Sequence, residues 1–198
     1  MTPSKDRLRP LARDFYLRDT LEVAHDLLGR LLISDFRGQK LAGRIVEAEA
    51  YIGEDDPACH ARFGKTKRNG VMYGIGGFSY VYFIYGMYNM FNVVCETEGF
   101  PAAVLIRALE PVHGLDTMCE LRGCKDVREF TSGPGKLCQA LGIDTTHSGI
   151  DLTGDRIYIA EDMDQEFEVE RSGRIGIKEG TDRLWRFYMK GNDFVSVQ

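Results

Sequence analysis

Three polar side chains recur at alternate positions of one short segment. They are Glu47, Glu49 and Tyr51 in Arg44-Ile45-Val46-Glu47-Ala48-Glu49-Ala50-Tyr51. In an extended strand, alternate residues point to the same side. The two carboxylates and the phenol then share one face, and Val46, Ala48 and Ala50 share the other. Small apolar residues on one side suit a core. Carboxylates on the opposite side suit a wet surface or a polar pocket, where one can act as a general base. On pattern alone, a solvent-facing strand edge is the expected reading. Arg107 sits inside Ala103-Val104-Leu105-Ile106-Arg107-Ala108-Leu109. A guanidinium in an apolar strand is costly to bury unless an anion pairs with it. Either it makes a structural pair with Glu110 or another acid, or it bridges to a strand glutamate and holds it for chemistry.

A second group of residues suits a polyanion with stackable bases. The chain has a net charge of -5, yet no acid lies between Asp56 and Glu96. That window holds Arg62, Lys65, Lys67 and Arg68, followed by Tyr73, Phe78, Tyr80, Tyr82, Phe83, Tyr85, Tyr88 and Phe91. Cations neutralise phosphates, and flat rings hold or replace bases. The acidic total argues against coating nucleic acid through bulk charge and leaves room for a local grip. Alternation puts Tyr80 and Tyr82 on one face, Phe83 and Tyr85 on the other. Phe83 is expected in the core. Tyr85 and Met87 flank Gly86 at a turn, where large apolar groups are exposed, and a wedge between base pairs is one use for such a tip. Thr131-Ser132-Gly133-Pro134-Gly135-Lys136 offers backbone amides, a hydroxyl and a lysine to a phosphate, but lacks P-loop spacing. His60 near Asp55, Asp56 and Cys59 is a poor metal cluster, because ligand spacing is wrong. His113 and His147 read as surface or cap residues.

These residues need elements to position them. Asp19-Thr20 followed by Leu21, Ala24, Leu27 and Leu28 predicts an N-capped amphipathic helix. Strands are expected at 31–34 and 40–52, with Arg37-Gly38 in the turn. A hairpin is expected from 78–85 and 89–96, then a strand at 102–109. His113 to Gly123 and 134–141 read as helices, the second with Pro134 at its start. Later strands are expected at 156–160, 167–171, 174–178 and 184–189, with the acidic run 161–170 at a solvated edge or loop. The count predicts α+β architecture around a curved, largely antiparallel sheet, in one domain over 1–198 with 1–10 as a loose arm. The hydrophobic fraction of 43% and charged fraction of 28% fit a globular chain. No apolar run reaches the ~20 residues of a membrane span, and the polar start does not read as a signal peptide. Five cysteines, 59, 95, 119, 124 and 138, form no C-x-x-C pair, so reduced thiols in a cytoplasmic protein are expected.

Several of these segments, in order, resemble the alkyladenine (3-methyladenine) DNA glycosylase family of mammals and many bacteria. Gly43 to Tyr51 is similar to the family's G-R-I-V-E-T-E-A-Y, with Ala48 where threonine is frequent. His60-Ala61-Arg62 resembles part of A-H-S-R, and Tyr80 to Tyr88 resembles Y-V-Y-I-I-Y-G-M-Y. Leu105 to Pro111 is similar to L-L-R-A-L-E-P, and Ser132 to Leu141 to S-G-P-x-K-L-C-Q-A-L. Arg186-Phe187-Tyr188 and Phe194 to Val197 also fit. The resemblance covers roughly residues 11 to 197.

The resemblance implies a monofunctional glycosylase that flips alkylated or deaminated purines from double-stranded DNA and hydrolyses the N-glycosidic bond in base excision repair. It implies Glu49 as the general base and Arg107 as a partner in holding the water. Tyr51, His60 and Tyr82 would hold the flipped purine, and Asn92 would reject bases carrying a 2-amino group. Tyr85 would fill the gap in the duplex, beside Met87. Arg62, Lys65, Lys67, Arg68, Ser132, Gly133 and Lys136 would face DNA. Glu47 is structural on this reading. No metal or cofactor is implied, no lysine nucleophile aligns, and a monomer at the bacterial nucleoid is expected. The compact loop 65–77 follows bacterial relatives, which leaves the preferred lesion open. Two other readings stand beside it: a lesion binder that does not cut, and a metal-dependent hydrolase built on Glu47, Glu49 and His60.

Overall fold

Strand β2 (Gln39–Ile52) is the spine on which the other elements are arranged. The structure, a computed structural model, describes residues 9–161 and 166–197. β2 forms a hairpin with β1 (Leu31–Phe36), turned by Arg37 and Gly38 at φ 54° and 83°. On its other edge runs β5 (Ala102–His113), followed outward by β4 (Tyr88–Val94) and β3 (Ser79–Ile84). β6 (Ile157–Ala160) lies beyond β1. β8 (Arg186–Met189) pairs with Glu47–Glu49 of β2 and with β7 (Val169–Ser172). Every pairing is antiparallel, and the sheet curls into a half-barrel with a few helices, as the strand count predicts.

One face of the sheet is the main core. Val46, Ala48 and Ala50 of β2, Val104, Ile106 and Ala108 of β5, and Phe91 and Val93 of β4 are buried there. They share that core with Val23 and Ala24 of α2 (Thr20–Asp26), Met118 of α3 (Leu115–Arg122) and Leu137 of α5 (Pro134–Ala140). Each of the Val, Leu, Ile, Phe and Met side chains contributes roughly 1.5–3 kcal/mol by leaving water, and each alanine less. Two shorter α-helices are α1 (Arg13–Tyr16) and α4 (Arg128–Thr131). The Asp19 carboxylate caps α2 by accepting from the amides of Leu21 (2.8 Å) and Glu22 (3.3 Å), a contribution of about 1 kcal/mol.

The β2–β5 register shifts between Ala42 and Gly43 and again around Glu47, and the second shift bears on the site. Ile45 faces Leu109 and Ala48 faces Ile106, while Glu47 pairs with Ala108 between them. The shift sends Ile45 and Val46 into the core together, and likewise Ala108 and Leu109. Past it, Glu47, Glu49 and Tyr51 join Leu105 and Arg107 on the opposite face. Bulges re-aim side chains in this way.

Some elements differ from expectation. Residues 174–178 form no strand. Gly173 and Gly176 (φ 76°) interrupt the extended run, and Asp56 draws Arg174 into the interior. The helix expected from His113 starts at Leu115, because β5 continues to His113. Of the expected loose arm, residues 1–8 lie outside the described residues, but Pro10 bridges to Ala160. Of the acidic run, 162–165 also lie outside them, while Glu168 and Glu170 pair with Lys190. His147 completes a capping box with Asp144. Among the described residues, no helix is long and apolar enough to cross a membrane.

Candidate active site

The polar face of β2 is not a wet edge. Glu47 and Glu49 are both fully buried, against the pattern-based expectation. Burial of two carboxylates is possible because each is saturated or nearly saturated with donors. Glu47 accepts from Arg107 Nε (3.2 Å), Arg186 Nε (2.7 Å), the Ser196 amide (2.7 Å) and the Ser196 hydroxyl (3.0 Å). A carboxylate has about four lone-pair sites, so Glu47 is filled. Glu49 accepts from Arg107 Nη1 (3.2 Å), the Tyr51 hydroxyl (2.8 Å) and the Ile175 amide (2.6 Å). It keeps capacity for one more donor. Arg107 therefore bridges both strand glutamates from the next strand. Glu110 instead accepts from Arg44 (3.1 Å).

Burial pushes the Glu49 carboxyl above the ordinary carboxylate range, and nearby Glu47 adds to that. Arg107, the Ile175 amide and Tyr51 oppose the rise by favouring the anion. The Tyr51 hydroxyl is raised well above its usual value by burial and by Glu49, so it remains a neutral donor.

Glu49 lies directly behind the wall of a cavity of about 290 Å³. Tyr51 and Arg107, its two side-chain partners, reach the cavity surface. The rest of the lining includes His60, Tyr80, Tyr82, Asn92, Met72, Met90 and Ile175. The volume is at the lower end of the range for small-molecule sites, roughly 300–1,000 Å³. The His60 and Tyr82 rings are 4.5 Å apart, edge to face, and His60 Nδ1 shares a hydrogen bond with the Tyr80 hydroxyl (2.9 Å). Burial and the nearby Arg68 charge lower the His60 pKa, keeping the imidazole neutral. The Tyr80 hydroxyl is pushed up to about 12 by burial. Asn92 donates from Nδ2 to the carbonyls of Tyr80 (2.9 Å) and Met90 (3.2 Å), which fixes its orientation.

The hairpin tip overhangs this cavity. Tyr85 lines it and is still 76% exposed, with Met87 at 65%. Tyr85 and Gly86 both have positive φ (55° and 70°), as a type I′ turn requires, and the Met87 amide returns to the Ile84 carbonyl at 3.2 Å. A tyrosine at positive φ costs on the order of 1–2 kcal/mol. Phe83 is 49% exposed, so its expected core position is incorrect. Tyr88, like Phe83, Tyr85 and Met87, is exposed, so the end of the hairpin stands clear of the core. Pro134 of α5 also lines the cavity, and Gly135 lies so close to Tyr88 that a Cβ would come within 2.6 Å of the ring. Ser132, Gly133 and Lys136 are thereby brought beside the hairpin.

The expected phosphate-facing cations are not equally available. Arg62 is paired with Glu179 (2.5 Å) and stacks on Phe63. Lys65 sits over the Tyr73 ring (5.5 Å), and Lys136 pairs with Glu129. Lys67 is exposed. Arg68 donates to the Phe83 carbonyl (3.2 Å) and lies over Tyr82 (5.2 Å). The sequence reading missed Tyr80 as a lining residue, although alternation already paired it with Tyr82. It also missed the Ile175 amide, because a backbone donor leaves no side-chain signature.

Comparison with known proteins decides the family. A family model described as Methylpurine-DNA glycosylase (MPG) matches residues 14–193. The chain belongs to the methylpurine-DNA glycosylase family. A protein of Carboxydothermus hydrogenoformans is 53% identical over 188 residues, covering 94% of this chain and 98% of its own length. One from Methanocella arvoryzae is 50% identical over 190 residues, covering 94% and 95%. One from Alkaliphilus oremlandii is 47% identical over 198 residues, covering 94% and 98%. All three carry the provisional name 3-methyladenine DNA glycosylase. The span matched to the methylpurine-DNA glycosylase family contains β1 to β8, and so every strand that builds the cavity.

Proposed function

We propose that this family member is a monofunctional DNA glycosylase that extrudes a damaged purine from duplex DNA and hydrolyses its N-glycosidic bond in base excision repair. One observation carries the reading. A buried carboxylate with one open acceptor site stands behind an aromatic cavity sized for a single heterocycle, beneath an exposed tyrosine tip.

A base inside a duplex is out of reach, so it must be turned out at a cost of a few kcal/mol. Tyr85 offsets part of that cost by filling the vacated stack. The purine enters between Tyr82, His60 and Tyr51, which stack against its ring. Asn92 excludes bases with a 2-amino group. Glu49 and Arg107 hold water against C1′. As the C1′–N bond breaks, its electron pair leaves with the purine, and the sugar takes on oxocarbenium character. The Glu49 carboxylate stabilises that charge and accepts the proton of the attacking water, whose oxygen bonds C1′. Glu47 acts elsewhere, since its acceptor sites are already filled. Lys67, Met87, Ser132, Gly133 and Lys136 contact the duplex. Lys136 must exchange Glu129 for a phosphate, and Arg62 and Lys65 must likewise leave their present partners. One lesion at a time requires no symmetry, so the enzyme acts as a monomer in the cytoplasm, at the nucleoid.

A duplex carrying one hypoxanthine or one 1,N6-ethenoadenine tests this. Incubation should create abasic sites that break only after alkali, at a rate unaffected by EDTA. Absence of alkali-labile sites on any damaged purine would sink the reading. Strand breakage without alkali would contradict the monofunctional mechanism, and inhibition by EDTA would favour the metal-dependent alternative.

A further inference from the structure

Arg68 was expected to meet DNA phosphate, but its geometry ties it to the base cavity. Its guanidinium lies over the Tyr82 ring, 5.2 Å from the centroid, and donates to the Phe83 carbonyl at 3.2 Å. It is not itself a lining residue, while Tyr82, Tyr80 and His60 are. It thus charges the wall without occupying the space. We infer that Arg68 is a specificity-determining residue, whose positive charge over the Tyr82 ring biases the cavity toward neutral damaged purines over cationic ones.

The physical basis is the ring's quadrupole. An aromatic face attracts a cation, and a ring that already holds a guanidinium has less to offer a second one. The Arg68 charge also repels a cationic base, an effect that solvent weakens because Arg68 is exposed. A neutral purine stacks on Tyr82 without either penalty. The field of Arg68 reaches all three neighbouring walls: it lowers the His60 pKa and works against the rise at Tyr80 and Tyr82. Neutral His60 adds no charge of its own. Arg107 also lines the cavity and Arg174 lies over the Tyr51 ring (4.7 Å), but Glu47 and Glu49 offset the first and Asp56 offsets the second. Arg68 has the Phe83 carbonyl and the Tyr80 hydroxyl as hydrogen-bond partners, and neither is a carboxylate.

The inference rests on the base-excision reading, and the two are separable by one experiment. Release of 3-methyladenine from freshly methylated DNA (cationic) is measured against release of 1,N6-ethenoadenine from a duplex (neutral), as a ratio of kcat/KM values. The ratio cancels any shared loss of DNA affinity. Arg68→Gln should move it toward the cationic base by about two- to fivefold, the effect of one cation–π contact at a partly exposed site. Arg68→Lys, which keeps the charge, should stay near the wild-type ratio. A wild type that releases neither base fails the base-excision reading itself. A wild type that releases only the cationic base, a ratio unmoved in Arg68→Gln, or an equal shift in Arg68→Lys would overturn the role of Arg68.

Discussion

At the scale of single residues, the two glutamates of β2 show how partners divide roles between identical side chains. Glu47 and Glu49 are both buried and both touch Arg107, yet the first is filled by four donors and the second by three. The proposed catalysis by an ionised Glu49 has a pH signature. Because burial raises its pKa, protonation removes the base at a pH above that of an ordinary carboxylate. The single-turnover rate should fall as pH drops through that raised value and level off above it. A rate that stays flat down to the ordinary carboxylate range would contradict this. Arg107 is the counter-ion for both carboxylates. Arg107→Met should destabilise the fold by about 3–5 kcal/mol, as expected when a buried charge loses its partner, read as a large drop in denaturation midpoint. A shift under about 1 kcal/mol would mean the carboxylates do not depend on it.

At the scale of elements, the hairpin trades backbone comfort for position. Tyr85 occupies a positive-φ site that glycine would fill without strain. Tyr85→Gly should therefore raise stability by on the order of 0.5–1 kcal/mol, or roughly 2–4 °C in Tm, while weakening lesion binding. A variant less stable than wild type would show that the ring packs instead of projecting. Element existence was largely legible in the sequence. The Asp19 cap, the Arg37-Gly38 turn, the Gly86 tip and Pro134 each announce themselves through local chemistry, and each stands where expected. The segment 174–178 was not legible. Its alternation suggested a strand, but the buried Asp56–Arg174 pair, 118 residues apart in sequence, overrides local preference. The burial of Glu47 and Glu49 was hidden for the same reason. Arg186, Ser196 and Ile175 arrive from the distant C-terminal segment, and no pattern within 44–51 announces them.

At the scale of the whole molecule, the chain is acidic but carries no acid between Asp56 and Glu96, the segment proposed to meet DNA. The net charge is -5, and several cations near the hairpin are already paired internally. DNA affinity should depend on only a few phosphate contacts. The slope of log affinity against log salt should therefore be shallow, about -0.9 per phosphate neutralised. A slope near the -10 typical of extensive basic binders would contradict a grip confined to one face. The resemblance to a known family supplied the candidate roles, whereas the register shift in β2–β5 and the closing C-terminal loop supply the geometry that joins them.

The most direct measurement is single-turnover excision of 1,N6-ethenoadenine from a duplex by Glu49→Gln, with lesion binding followed in the same preparation. The amide keeps the shape of the carboxylate but cannot take a proton from water. Release should fall nearly to background while affinity for the damaged duplex is retained. Excision by Glu49→Gln at the wild-type rate would show that another group activates the water.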